Sequence, residues 1–228
     1  WALFISTPDG TASWFYDMWC YCGEQEWDDW GRWSFTTVEG GNVKEEEVEA
    51  ARGQLDARTF RQEFEASFEN LTGLVAVSFG DDNIDKEVQD LHMLPLLIGL
   101  DFNVDPMAGV CAVKHDNNLY VFDEIMLTGG ATTWDFAEEV VRRYGVDRRV
   151  IACPDPTGSA RKTSGVGVTD HTILRRNGFT VMSPKAPWKI RDKITAVNTA
   201  LLDANGDQRT FIHPVSYTHL TLPTTEYV

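Results

Sequence analysis

At 228 residues, with 43% hydrophobic and 24% charged side chains, the chain has the composition of an ordinary globular protein and is long enough to bury a core. It holds no run of about 18 apolar residues, which excludes a transmembrane helix, and its four cysteines (Cys20, Cys22, Cys111, Cys153) follow neither a zinc-ligand nor a disulfide-framework spacing. The formal net charge of −15 is uneven: residues 1–94 carry 6 Lys and Arg against 20 Asp and Glu, whereas 95–214 carry 14 of each.

The apolar run at 3–7 predicts a short strand ending in the turn-forming Thr7-Pro8-Asp9-Gly10. The chain opens at Trp1, already among apolar residues and without a secretory signal, as a piece of a longer gene would, and a reducing cytoplasm is expected. A helix follows over 11–19 with Trp14, Phe15 and Trp19 as an aromatic stripe. Residues 20–42, rich in Trp and Gly, predict irregular structure; Cys20 and Cys22 within them are expected to be half-buried filler. Asn42 is placed to cap a helix over 43–54, whose Glu45, Glu46 and Glu47 suit the positive end of the helix dipole. A second helix over 57–68 sets Phe60, Phe64 and Phe68 four apart on one face. Residues 74–79 predict a strand, and 80–94 an acidic, polar connector.

From Pro95 the texture changes. Residues 96–102 are apolar except for Asp101 near the end, the pattern of a buried central strand. Two further strands are expected over 109–114 and 119–125, joined by a turn at His115-Asp116-Asn117-Asn118. A helix begins at Thr132 or Thr133, with Trp134, Ala137, Val140, Val141 and Tyr144 inward. A short strand over 150–153 ends at Pro154-Asp155-Pro156. Then come a helix over 170–177, a strand over 179–182, a helix over 189–203 with Ile190, Ile194, Val197 and Leu201 on one face, and a last strand over 209–213. Three strands followed by helices alternating with single strands predict an α/β layered domain with a mixed sheet.

Two carboxylates stand where a core residue is expected: Asp101 near the end of an apolar strand, and Asp155 just after another. A buried carboxylate costs several kcal/mol unless it is paired or binds a metal. If the two strands are neighbours, both acids can grip one or two divalent cations, and oxygen ligands suit Mg²⁺ or Mn²⁺. Two cations about 4 Å apart can activate a water and stabilise the leaving oxygen of a phosphodiester. The other reading is that Asp101 and Asp155 only cap turns or helices. Glu124, also near a strand end, is either a further ligand or an ion-pair partner. Asp192, early in the last helix between Arg191 and Lys193, is either a ligand or a helix-dipole partner. His213 either meets a phosphate or packs. Eight basic residues lie within 161–193: Arg161, Lys162, Arg175, Arg176, Lys185, Lys189, Arg191 and Lys193. They form either a cationic face for nucleic-acid phosphates or a solvated surface. No GxxxxGK[ST] loop is present, and Gly158-Ser159-Ala160-Arg161-Lys162-Thr163 is a poor echo of one, so hydrolysis of ATP by this chain alone is not expected.

The last fourteen residues, 215–228, break every earlier pattern. Back-translation of Val215-Ser216-Tyr217-Thr218-His219-Leu220 resembles a sequencing-library adaptor, so 215–228 is expected to be a non-native tail.

In chain order these features resemble the large terminase subunits of tailed bacteriophages. Phe4-Ile5-Ser6-Thr7-Pro8-Asp9-Gly10 followed by Trp14-Phe15-Tyr16 resembles the family's ATPase coupling motif, with Ser6 and Thr7 as its polar residues. Ala51-Arg52 and Leu55-Asp56-Ala57-Arg58-Thr59-Phe60-Arg61-Gln62-Glu63-Phe64 resemble the connector between ATPase and nuclease. Gly99-Leu100-Asp101-Phe102 with Asp105-Pro106 resembles the first nuclease strand and its first metal-binding acid. Val121-Phe122-Asp123-Glu124-Ile125 resembles the strand that follows, and Pro154-Asp155-Pro156-Thr157-Gly158 stands where the family carries its second acid. Arg191-Asp192-Lys193-Ile194 and Phe211-Ile212-His213-Pro214 resemble the late part of the domain.

The resemblance covers 1–214. It implies a remnant of the packaging ATPase and its connector over 1–94, and over 95–214 an RNase H-like nuclease, a mixed sheet flanked by helices. It implies Mg²⁺- or Mn²⁺-dependent cutting of concatemeric double-stranded DNA in the host-cell cytoplasm, with the small terminase subunit and the portal protein as partners and no membrane. ATP would serve only the full-length protein, because the nucleotide-binding motifs would lie before Trp1. The family's third acid would follow the strand of His213 and Pro214, where the adaptor-like tail stands, so metal binding and cutting are expected to be impaired. Two rival readings remain: an RNase H-like transposase or resolvase using Asp101, Asp155 and Asp192, and a non-catalytic docking module of a packaging complex, which has no need of Asp101 and Asp155.

Overall fold

The structure, a computed structural model, describes residues 1–22, 29–69, 75–102, 105–159 and 168–214. The tail at 215–228 therefore lies outside the described residues. The chain forms two compact units: one holds Trp1–Phe79 and Ile190–Gln208, the other holds Gly80–Lys189 and continues from Arg209. A linear boundary at 94 and 95 is crossed in both directions, because 80–94 joins the second unit and the helix read over 189–203 joins the first.

The second unit is built on one six-stranded sheet: β1 (Leu96–Asp101), β2 (Met107–His115), β3 (Asn118–Leu127), β4 (Val150–Pro154), β5 (Thr180–Val181) and β6 (Thr210–Ile212). Their order is β5-β4-β1-β2-β3-β6. The first three strands run antiparallel as a meander; β4 is parallel to β1, β5 to β4, and β6 to β3. This is the mixed α/β sheet expected of an RNase H-like domain. The β2–β3 turn is the anticipated one: His115 pairs with Asn118, and Asp116 takes φ 53°, a left-handed conformation that Asp tolerates better than most residues.

One face of the sheet is covered by α4 (Thr133–Tyr144) and α5 (Asp170–Arg176). Leu96, Ile98, Leu100, Met107, Cys111, Ile125, Val150 and Ala152 pack there with Phe136, Ala137, Val140 and Leu174. Trp134, expected inward, is instead exposed, and Phe136 takes the central position. Two residues along a helix turn the side chain by about 200°, so the two cannot both face the sheet. Thr132 caps α4 in a reciprocal box with Asp135.

β1 is central, with a neighbour on each side, but it is buried on one face only. Leu96, Ile98 and Leu100 are buried, Leu97 is half-buried, and Gly99 and Asp101 are exposed. The expected acidic connector at 80–94 is not a free linker either. Asn83, fully buried, donates to the Thr210 carbonyl at 3.0 Å, the Asp85 N–H donates to the Ile212 carbonyl, and Arg148 forks onto Asp90 at 2.7 and 2.8 Å.

The first unit is helical: α1 (Trp14–Tyr21), α2 (Glu45–Arg52), α3 (Ala57–Phe64) and α6 (Ile190–Leu201). Ser13 caps α1, and Asp56 caps α3 by accepting from the Arg58 and Thr59 N–H groups. Asn42 does not cap α2; Lys44 occupies that position, without a side-chain bond. Phe60 is buried and stacks on Phe64, but α3 ends at Phe64. Phe68 thus leaves that face and packs on Phe15, Tyr16 and Trp19.

Neither strand expected in this unit forms. Residues 3–7 have no partner strand among the described residues, and a strand needs its ladder. Residue 74 lies outside the described residues, and 75–78 obtain their backbone partners from a side chain: Asn198 accepts from the Ser78 N–H and donates to the Val75 carbonyl. That use of Asn198 also turns α6. Its buried face is Asn198, Thr199 and Leu201, while Ile190 and Val197, expected inward, are exposed.

Candidate active site

β1 and β4 are adjacent and parallel, with Gly99 opposite Cys153 and Leu100 opposite Pro154 as the last pairs. Asp101 and Asp155 are the next residue on each strand. Alternation assigns Asp101 to the face away from the core, with Gly99 behind it, because Leu100 points inward; Asp155 lies just past the end of β4 and is half-buried. Neighbouring strands lie about 4.8 Å apart, so two carboxylates at matching positions can serve one small centre. Cys153 is exposed and Gly99 has no side chain, so this face is open.

Asp155 leads into a single 3₁₀ turn, Pro156–Ser159. Its backbone carbonyl accepts from the Gly158 N–H at 3.2 Å and meets Nε2 of the buried His171, from α5, at 3.1 Å. Sequence reasoning did not single out His171: a lone histidine at a helix start carries no motif, and only its burial marks it.

Glu124 shares the open face of the sheet, since it pairs with Val110, which pairs with Gly99. It lies on β3, however, with β2 standing between it and β1. Its neighbour Asp123 points to the core side, where it accepts from the Tyr144 hydroxyl at 2.5 Å and from Arg143 at 3.1 Å. Burial, then the bond to Asp123, raises the Tyr144 phenol, and burial pushes the Cys111 thiol beside it up to about 11. Glu139 on α4, held by Arg142 and Arg143, is lowered to about 2. These groups brace α4 on the sheet and leave the open face alone.

Asp192 is exposed in the first turn of α6, a helix of the first unit, whereas Asp101 and Asp155 belong to the second. Among the described residues, no group of three or more His, Cys, Asp or Glu side chains is arranged to hold a metal. The oxygen chemistry of Asp101 and Asp155 fits a hard divalent cation.

The cationic residues are not collected into one unit. Arg161 and Lys162 lie outside the described residues. Lys185 and Lys189 are exposed in the second unit, whereas Arg191 and Lys193 are exposed on α6 in the first. Arg191 already pairs with Glu63 at 2.6 Å. Arg175 and Arg176 are exposed in the last turn of α5. The His213 N–H donates to the Val121 carbonyl, extending the β6 ladder. Ser6 and Thr7 are exposed, with the Ser6 hydroxyl donating to the Thr7 carbonyl. Cys20 and Cys22 are free and half-buried, as expected. Among the described residues, no helix is long and apolar enough to cross a membrane.

No family model matches the chain. The large terminase subunit of Escherichia phage T5 is 26% identical in an alignment 159 residues long that covers 64% of this chain and 36% of that protein. The solved large terminase of a thermophilic bacteriophage overlays with a TM-score of 0.61 at 15% identity, covering 91% of this chain and 49% of that one. Its complex with ATP-γ-S gives 0.60 over 91% of this chain and 50% of that one. The chain therefore spans about half the length of the solved relative, and 36% of the curated one. At 15% identity the overlay establishes the fold. In sequence and in fold, the chain is similar to large terminase subunits.

Proposed function

We propose that this chain is a portion of a large terminase subunit and carries its DNA-cutting centre, a metal-dependent endonuclease acting on concatemeric double-stranded DNA. The observation that carries the reading is that Asp101 ends β1 and Asp155 follows β4, each one residue beyond the last paired rung of these two adjacent parallel strands. Mg²⁺ or Mn²⁺ bound there, as a pair in the two-metal case, would make a water more acidic and stabilise the leaving oxygen of the phosphodiester. The role of the chain's own residues is to hold the two carboxylates near one another at the ends of β1 and β4. Glu124 and Asp192 are the weaker ligand candidates. The resemblance puts a third acid beyond Pro214.

The wider assignments belong to the same proposal: 1–94 as the end of the packaging ATPase and its connector, with Ser6 and Thr7 in the coupling motif, and 95–214 as the nuclease. So do DNA contacts by Arg161, Lys162, Lys185, Lys189, Arg191 and Lys193. In the whole protein the ATPase would drive DNA into a procapsid in the host cytoplasm, with the small subunit and the portal as partners.

The test is Mn²⁺-dependent nicking of plasmid DNA by this chain and by one continued through the natural C-terminus, each with Asp101→Asn and Asp155→Asn. Cutting by the longer chain that both substitutions abolish supports the reading. Equal cutting by the short chain moves the remaining ligand to Glu124 or Asp192. If neither chain cuts nor binds Mn²⁺, the nuclease reading fails and the docking-module reading replaces it.

A further inference from the structure

We propose that His171 is a positioning residue for the metal-binding acid Asp155, an inference that rests on the nuclease reading of the same site. His171 is 4% exposed, in the first turn of α5. Its Nε2 lies 3.1 Å from the Asp155 carbonyl oxygen. A carbonyl only accepts, so Nε2 carries the proton and donates. The same oxygen accepts from the Gly158 N–H at 3.2 Å, and this closes the turn that follows Asp155. Two donors on one carbonyl fix the peptide plane after Asp155, and with it the direction in which the Asp155 side chain leaves the strand.

The other acid is tied to the same point. Phe102, the residue after Asp101, lies against Gly158 and His171, its ring centroid 6.0 Å from the imidazole. A Cβ on Gly158 would stand 2.2 Å from Phe102 Cε2 and 3.0 Å from His171 Cδ2, so only glycine lets these three meet. The imidazole itself is anchored from outside the site. Thr169 caps α5, and Asp170 accepts from the Thr133 hydroxyl of α4 at 2.8 Å. The sequence Asp101-Phe102 on one strand and the turn after Asp155 on the other thus share one buried contact, centred on His171 and Gly158. Metal–oxygen distances for Mg²⁺ are confined to about 2.0–2.1 Å, so a small rotation of either carboxylate is felt as lost affinity.

The experiment compares Mn²⁺ binding, by calorimetry, in the wild-type chain, His171→Gln, His171→Asn and Gly158→Ala, with melting of each in EDTA. The Gln side chain can place an N–H where Nε2 was, whereas the shorter Asn side chain cannot reach the Asp155 carbonyl. The expected result is a roughly tenfold weaker Mn²⁺ affinity for H171N, as for other residues that orient a metal ligand. H171Q should recover most of it, while the EDTA melting temperatures of the two stay together. G158A should lose affinity independently, which keeps the test open if the histidine variants fold poorly. In a nicking assay the H171N defect should shrink as Mn²⁺ is raised.

Wild-type affinity in both H171N and G158A overturns the positioning role while leaving the nuclease reading intact. An equal loss in H171Q and H171N also overturns it, since burial and not the hydrogen bond would then matter. No Mn²⁺ binding by the wild-type chain, even when it is continued through its natural C-terminus, removes the nuclease reading, and this inference with it.

Discussion

Gly109 faces the core of β2, where a Cβ would stand 2.5 Å from Phe136 Cζ and 3.2 Å from Ile98 Cγ2. Both neighbours are fully buried, so neither can swing away cheaply. Gly109→Ala should destabilise the chain by about 1–3 kcal/mol, read from denaturant unfolding. Gly109→Ala combined with Phe136→Leu should cost less than the two single changes added together, because the shorter side chain vacates the clash. Strict additivity would mean that the ring does not sit where the structure puts it. Further along the same strand, Cys111 makes a prediction about pH. Burial raises its thiol to about 11, against about 8.5 for an unfolded thiol. Between those values the unfolded chain has lost a proton that the folded chain keeps, so stability falls as pH rises through that window. Cys111→Ala should flatten the alkaline loss measured by thermal melts from about pH 8 to about pH 11, and an unchanged slope would assign the loss elsewhere.

Among the elements, α6 shows what a single amide can organise. The Asn198 carboxamide, 1% exposed, bonds the Ser78 N–H at 2.9 Å and the Val75 carbonyl at 2.8 Å. Asn198→Leu keeps the volume but leaves two backbone groups without partners, at about 1–3 kcal/mol for each one that stays buried. Amide exchange at Ser78 should accelerate well before global unfolding, and unchanged protection there would contradict the assignment. α4 is braced differently, at its surface, by Arg142 and Arg143 on Glu139 at 2.6 Å. Those bonds lower the Glu139 carboxyl to about 2, below the usual value near about 4.3. The stabilisation is therefore complete above about pH 4.3 and is lost as pH falls towards about 2. The stability gap between wild type and Glu139→Gln should close over that range, and a gap that persists at the acid end would show that the charge is not its source.

At the scale of the whole molecule, what was legible in the sequence was whatever depends on near neighbours. The six strands of the sheet were readable because their apolar runs end in turn residues, and Asp101 and Asp155 because an acid closing an apolar strand is conspicuous. Residues 75–78 were not readable, since their partner is a side chain 120 residues away, nor was the face of α6 that this partner turns inward. Gly109 and Phe136 meet only after the helix is laid on the sheet, and His171 reaches Asp155 only through the fold.

The same long-range ties decide where the chain can be cut. Excision at residue 95, the boundary that charge and texture suggest, removes Asp90 from the Arg148 guanidinium, whose side chain is 5% exposed, and Asn83 from the Thr210 carbonyl. A buried charge stripped of its partner costs on the order of 3–5 kcal/mol. A chain of residues 80–214 should therefore unfold at distinctly higher denaturant than one of 95–214, although it adds only an acidic segment. In both, α6 keeps its own sequence but loses the Val75 and Ser78 partners of Asn198, the Glu63 partner of Arg191, and the Arg52 and Leu55 carbonyls that receive the Ala204 N–H. A helix of 12 residues without a packing face is marginal in water. Amides over 190–201 should thus exchange quickly in the 80–214 chain while those of β1 to β4 stay protected. Protection of α6 in that shorter chain, equal to its protection in the whole one, would mean that the helix belongs to the sheet-bearing unit after all.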